Sequence, residues 1–226
     1  MFPIKDTIRS HSFPIITWAI IIANTLIFFF ESSLSSSELE NLISTFGLVP
    51  AKFSFTNPIT WLPLFTHMFL HGSLYHLLSN MWTLFIFGDN VEDHIGSGRF
   101  LIFYLAGGVA AGMIQMFQGG GPNIPSVGAS GAIAAVLGAY FLYFPRSKVI
   151  TFVPFLLLIW FVNIPAVIYL GIWFVSQIYS GITSTGASGI AWWAHIGGFV
   201  FGLAMALVFK GRQKIRAWYR DEYYPW

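Results

Sequence analysis

A chain of 226 residues that is 56% hydrophobic, 19% aromatic and only 9% charged is not a soluble domain, in which roughly a quarter of the residues carry charge. Its composition is that of an integral membrane protein. The absence of cysteine excludes a disulfide framework, a thiol nucleophile and a cysteine-ligated metal, and no cofactor, metal or nucleic-acid partner is expected. The net charge of +2 matters less than where the charges fall.

Met1–Ser12 reads as a short polar leader carrying Lys5 and Arg9. Residues 13–30 form the first uncharged run long enough to span. Glu31-Ser32-Ser33-Leu34 behind it offers no small-x-small cleavage site, so the run is read as a retained helix and not a signal peptide. Residues 31–73 are read as an interfacial first loop. Within it 36–46 is expected to be an amphipathic turn, and Pro50, Pro58 and Pro63 punctuate the rest. The stretch 57–71, with Trp61, Phe65 and Phe69, is too apolar for a solvated loop and is expected to dip into the lipid interface.

Further spans are expected at 74–88 and 100–117. Gly119-Gly120-Gly121-Pro122 then breaks the chain before a fourth span at 128–144. Residues 149–182 are uncharged for 34 positions, too long for one helix, and are interrupted by Pro154 and Pro165. The reading adopted is that 149–163 only dips into the membrane and 164–182 spans it. A sixth span at 190–209 leads into a basic tail, 210–226. The chain is thus expected to be one membrane-embedded, all-α domain, a bundle of six transmembrane helices.

The distribution of basic residues settles the count. Six spans put Lys5, Arg9, Arg99, Arg146, Lys148, Lys210, Arg212, Lys214, Arg216 and Arg220 on one side and leave only Lys52 on the other. By the positive-inside rule both termini are then cytoplasmic. A seventh span would strand the five basic residues of the tail outside.

This topology makes the second, fourth and sixth helices all enter from the outer face. His76 and Asn80 fall in the first turns of the second, Ser130 in the first turn of the fourth, and His195 near the start of the sixth. Four polar side chains therefore share one depth, where such residues are costly and face a cavity or a partner. Ser130 is flanked by Gly128 and Gly131, which permit close backbone approach. A helix start also offers free N–H groups to a developing negative charge. The pattern is not the G-x-S-x-G elbow of soluble hydrolases, because Ala132 stands at its last position.

Small residues supply the lateral half of the argument. Ala194, Gly198, Gly202 and Ala206 recur every four residues in the sixth helix, and Ser130, Ala134 and Gly138 do so in the fourth. Two such stripes in contact bring backbones together and carry His195 to Ser130. A serine hydroxyl needs a base, and a neutral imidazole suits that task. Glu31, Glu38 and Glu40 lie outside this level, and Asp89, Glu92 and Asp93 lie at the cytoplasmic end. The machinery is therefore read as a Ser–His dyad without an orienting acid. His76 and Asn80, one turn apart on one face, can both donate to an oxyanion, as can the backbone N–H of Ser130.

These residues resemble the rhomboid family of intramembrane serine proteases. The resemblance rests on His76-x-x-x-Asn80, Gly128-x-Ser130-Gly131, Ala194-His195-x-x-Gly198-x-x-x-Gly202 and Gly88-x-x-x-Glu92-x-x-x-Gly96, and covers about residues 10–210. It implies Ser130 as nucleophile, His195 as base, and His76 and Asn80 as oxyanion hole. It also implies hydrolysis, in a water-accessible cavity, of peptide bonds in single-pass membrane proteins whose helices unwind easily. The chain departs from many members in carrying Trp61-Leu62-Pro63 where they have a Trp-Arg pair. It also has Ala134 where some have a tyrosine stacked on the histidine. Pro165 and the Gly186–Gly189 segment, which bound the fifth helix, mark it as a candidate gate.

Two other classes are weighed. A catalytically dead relative that binds membrane proteins for trafficking or quality control would lack the serine or the histidine, and both are present. A transporter would be expected to show an inverted repeat or an intramembrane carboxylate, and neither is found. A bacterial plasma membrane is the expected location, with the lipid bilayer and membrane-protein substrates as partners. The sequence leaves the oligomeric state open.

Overall fold

Ten consecutive buried residues, Gly131 to Tyr140, make one helix apolar all round, and the rest of the chain is wrapped about it. The computed structural model describes residues 2–119, 121–155, 158–184 and 189–210. Arg212, Lys214, Arg216 and Arg220 of the basic tail, Gly120 and residues 185–188 lie outside the described residues. In chain order the elements are β1 (Phe2–Asp6), α1 (Ile15–Ser33), α2 (Ser36–Phe46), α3 (Pro63–Thr66), α4 (Leu74–Ile95), α5 (Ser97–Gln118), α6 (Ser130–Tyr143), β2 (Lys148–Phe155), β3 (Leu158–Pro165), α7 (Ala166–Thr183) and α8 (Trp192–Lys210). Short 3₁₀ turns at Pro50–Lys52, Pro58–Trp61 and His67–Phe69 fold the segment before α4.

The protein is mostly helical and integral to the membrane. Four of the described helices, α1, α5, α7 and α8, are long and apolar enough to cross a bilayer, and α6 is apolar but shorter. Helix α6 is the centre: it packs most extensively on α8, then on α5 and α4, and lightly on α7. Its 14 residues span only about 21 Å at 1.5 Å per residue, less than the ~30 Å hydrocarbon core. The approach to Ser130 is non-helical, and its backbone groups find partners in the segment that precedes α4. Ser126 N–H donates to Leu48 O at 2.9 Å, and Ser126 O accepts from Leu48 N–H at 3.0 Å; Gly128 N–H donates to His67 O at 2.9 Å. In a membrane protein, irregular backbone away from water is tolerated only where protein satisfies it in this way.

At the opposite end of α6 the expectation of an all-α chain is corrected. Of residues 149–163, those described, 149–155 and 158–163, belong to an antiparallel pair, β2 against β3, and the polar leader supplies a third strand, giving the order β1-β2-β3. The physical reason is that an apolar run cut by Pro154 cannot close helical hydrogen bonds, so its backbone pairs across strands. Val149 and Thr151 are buried while Ile150 between them is not, the two-residue period of a strand. The sheet is tied to the bundle through β1: Trp82 Nε1 donates to Pro3 O at 2.7 Å, and the Tyr140 hydroxyl donates to Asp6 Oδ2 at 2.6 Å. Residues 36–46, expected as an amphipathic turn, form a full helix with Ser35 and Glu38 in a capping box.

The α1–α4–α5 junction is built on Gly88, Glu92 and Gly96. A Cβ on Gly88 would lie 2.9 Å from Leu84 Cδ1, 3.1 Å from Thr17 Oγ1 and 3.2 Å from Thr17 Cγ2, so α1 packs tightly against α4 there and a larger residue would have to push side chains aside. Glu92 caps the start of α1, accepting from Ile16 N–H at 3.0 Å, Thr17 N–H at 2.8 Å and Thr17 Oγ1 at 2.8 Å, a favourable place for a carboxylate. Ser97 Oγ donates to the same carboxylate at 2.6 Å. Gly96, at φ +86°, ends α4 and starts α5.

Candidate active site

Three helix starts meet at one end of the bundle. Ser130 is the first residue of α6, and His195 lies in the first turn of α8. Their separation is set by backbone contact. A Cβ on Gly198 would lie 2.1 Å from Gly131 O, one on Gly202 2.0 Å from Ala135 O, and one on Gly138 2.2 Å from Phe199 O. No side chain fits at any of these points, so α6 and α8 touch along their length. Gly131 turns its own bare face to α5, where a Cβ would meet Ala111 Cβ at 2.6 Å.

This contact brings His195 Nε2 to 2.8 Å from Ser130 Oγ. Both residues are half-buried, so solvent screens the contact between them only in part. The imidazole is held from other sides too. Its ring lies 6.0 Å from that of Trp173 and 6.0 Å, at 90°, from that of Trp192. The start of α8 is anchored by Gln115 of α5, whose Oε1 accepts from Ala194 N–H at 3.1 Å.

His76 and Asn80 occupy the first two turns of α4, which Ser73 caps by accepting His76 N–H at 3.1 Å. They reach the serine loop at Gly128. At φ +124° this residue has a backbone that favours glycine. A Cβ there would lie 2.6 Å from His76 Cε1, 2.7 Å from His76 Nε2 and 3.7 Å from Asn80 Nδ2. Asn80 is 5% exposed, and its Nδ2 has no acceptor among the described residues. A buried donor left without a partner costs free energy and calls for an explanation.

Two contacts at this site have no counterpart in the sequence reading. His195 Nδ1 lies 2.8 Å from Gln177 Oε1, so the imidazole is not oriented by packing alone. Gln177 is a buried amide on α7, in line with the buried Ala166 and Leu170. A polar side chain on the inward face of a span was the available signal. His71, just before α4, is likewise buried, with its ring 5.1 Å from that of His76. Its backbone N–H donates to Glu31 Oε2 at 3.2 Å. Glu31 thus ties the end of α1 to the loop before α4.

Comparison with known proteins gives a single family. The family model for the Rhomboid domain matches residues 58–212, a stretch that contains α4 to α8 and all four of Ser130, His195, His76 and Asn80. The chain is also similar to proteins named Rhomboid protease GlpG. It is 27% identical to that of Salmonella choleraesuis (strain SC-B67) over 210 residues, 92% of this chain and 67% of the relative. Those of Salmonella newport (strain SL254) and Salmonella typhimurium (strain LT2) match with the same identity and coverage.

Proposed function

Because the chain belongs to the rhomboid family, and is with it a membrane-embedded serine protease, we propose that Ser130 and His195 form its catalytic dyad. In this reading the substrates are membrane proteins cleaved in or near their transmembrane segments. The observation that carries it is the 2.8 Å approach of His195 Nε2 to Ser130 Oγ at the start of a helix too short to reach both surfaces of the bilayer.

The chemistry follows from the geometry. As Ser130 Oγ attacks the scissile carbonyl carbon, its proton passes to His195 Nε2, and the carbonyl oxygen becomes an oxyanion. Asn80 Nδ2, the ring of His76 and the first N–H groups of α6 are the available donors to it; the latter lack helical partners by construction. The imidazolium then protonates the leaving amine, which departs with the C-terminal part of the substrate. Water, deprotonated by the same imidazole, attacks the acyl ester and frees Ser130. A peptide bond inside a continuous helix is shielded, so the substrate must unwind locally to present one.

The same reading includes six spans with both termini cytoplasmic, α4 and α6 completing the set of four long apolar helices. It places Lys5, Arg9, Arg99, Arg146 and Lys148 on one side, as the positive-inside rule requires. Similarity to Salmonella proteins supports a bacterial inner membrane as the location. The direct test is reaction with a fluorophosphonate probe together with cleavage of a single-pass reporter in liposomes. Both should occur in the natural protein, and Ser130→Ala should abolish both while the protein stays folded. Probe labelling that persists in Ser130→Ala would overturn the assignment.

A further inference from the structure

We propose that Gln177 is the positioning residue that sets the tautomer of His195, filling with a neutral amide the place an acid holds in a Ser–His–Asp triad. This deepens the dyad reading and rests on it.

The argument is a closed chain of donors and acceptors. Gln177 Nε2 lies 3.1 Å from the carbonyl oxygen of Trp173 and 2.9 Å from Ser176 Oγ. A backbone carbonyl can only accept, so the group facing it must be the amide NH₂. Ser176 Oγ donates its own proton to the same carbonyl at 2.6 Å, which leaves its lone pairs to accept from Gln177. The amide is thereby fixed one way round by its own helix, and Oε1 must face His195. That oxygen also only accepts. The His195 Nδ1 atom 2.8 Å from it must therefore carry the proton, and Nε2 is left bare toward Ser130 Oγ at 2.8 Å. This is the tautomer that a general base requires.

An amide suits this site better than a carboxylate. Gln177 is 5% exposed and lies in a span, where an ionised acid would be expensive. It is also the one polar group among the three buried side chains of α7; Ile168, Ile172, Val175, Tyr179 and Ile182 of the same helix are exposed. Where Ala134 leaves no aromatic ring on α6 to hold the histidine, α7 supplies a hydrogen bond.

The test uses the full-length protein in detergent with imidazole ¹⁵N-labelled histidine, assigned by difference against His195→Gln. Gln177→Leu removes the acceptor at nearly constant size, and Gln177→Glu keeps an acceptor there. At neutral pH the natural protein should show His195 protonated at Nδ1. Gln177→Leu should lose that single tautomer and lower kcat about 10- to 100-fold, the scale on which such outer partners of a histidine act, with KM nearly unchanged. Gln177→Glu should restore the tautomer and most of the turnover. The proposal is overturned by protonation at Nε2 in the natural protein, or by an unchanged tautomer and kcat in Gln177→Leu. It also falls if the loss is carried by KM, or is not recovered by glutamate. The NMR signal does not need turnover. A protein that shows the Nδ1–H tautomer yet neither cleaves nor labels overturns the protease reading and leaves the positioning role standing.

Discussion

Asn80 Nδ2 is a buried donor without a partner among the described residues, a standing cost to the folded protein. An oxyanion would repay it only in the transition state. Asn80→Ala should therefore lower kcat by about two to three orders of magnitude, the effect of losing one such donor elsewhere, with KM little changed. Steady-state constants in a bilayer decide it. A large rise in KM at constant kcat would assign Asn80 to substrate binding or structure. At this scale the sequence was informative where helix position alone carries the meaning. Ser130, His195, His76 and Asn80 could be put at one level by counting spans and basic residues. Gln177 could not be found that way, because a neutral amide changes no charge count and lies in an uncharged stretch of 34 residues. Its partner is 18 positions away, across a turn that spacing rules do not describe.

At the scale of elements the central contact is backbone on backbone. Gly198→Val or Gly202→Val would drive a branched side chain into Gly131 O or Ala135 O, each about 2 Å from where the Cβ must sit. Overpacking alone costs about 1–3 kcal/mol, and here the obstacle is a helix backbone that cannot swing aside. Both variants should lower the unfolding temperature and the rate together, since the same displacement carries His195 away from Ser130. A variant with natural stability and rate would show that α6 and α8 do not meet as described. The glycine and alanine stripes were readable in the sequence because their four-residue period is a helix's own. The hairpin was not. Residues 149–163 are as apolar as a span, and the strand that completes the sheet, Phe2–Asp6, lies more than 140 positions away from its partners. No local pattern reports such a pairing.

For the whole molecule, the sheet and the Ser130–His195 pair lie at opposite ends of α6, joined by Tyr140 at one and Ser130 at the other. The sheet end carries a titratable tie. Burial lifts the Asp6 carboxyl to about 7, against the hydrogen bond from Tyr140, which lowers it. The folded chain thus holds a proton on Asp6 between about pH 4 and 7 that the unfolded chain has released. Its contribution to stability is full at the acid end of that window and is lost as pH rises through 7. Thermal unfolding followed from about pH 4 to 8 should show this decline, and Asp6→Asn should make it shallower, leaving the part carried by the neighbouring Asp89, which burial raises to about 6. Equal slopes in the two proteins would contradict the tie. The account as a whole turns on Ser130 and His195 acting as one unit across α6 and α8. Its most direct test is the rate at which Ser130→Ala, His195→Ala and the double variant cleave a single-pass reporter in liposomes, each checked for an unchanged unfolding temperature. All three should fall to the same residual rate, because either change alone removes the activated nucleophile. Substantial turnover by a folded Ser130→Ala protein, or losses that add in the double variant, would contradict it.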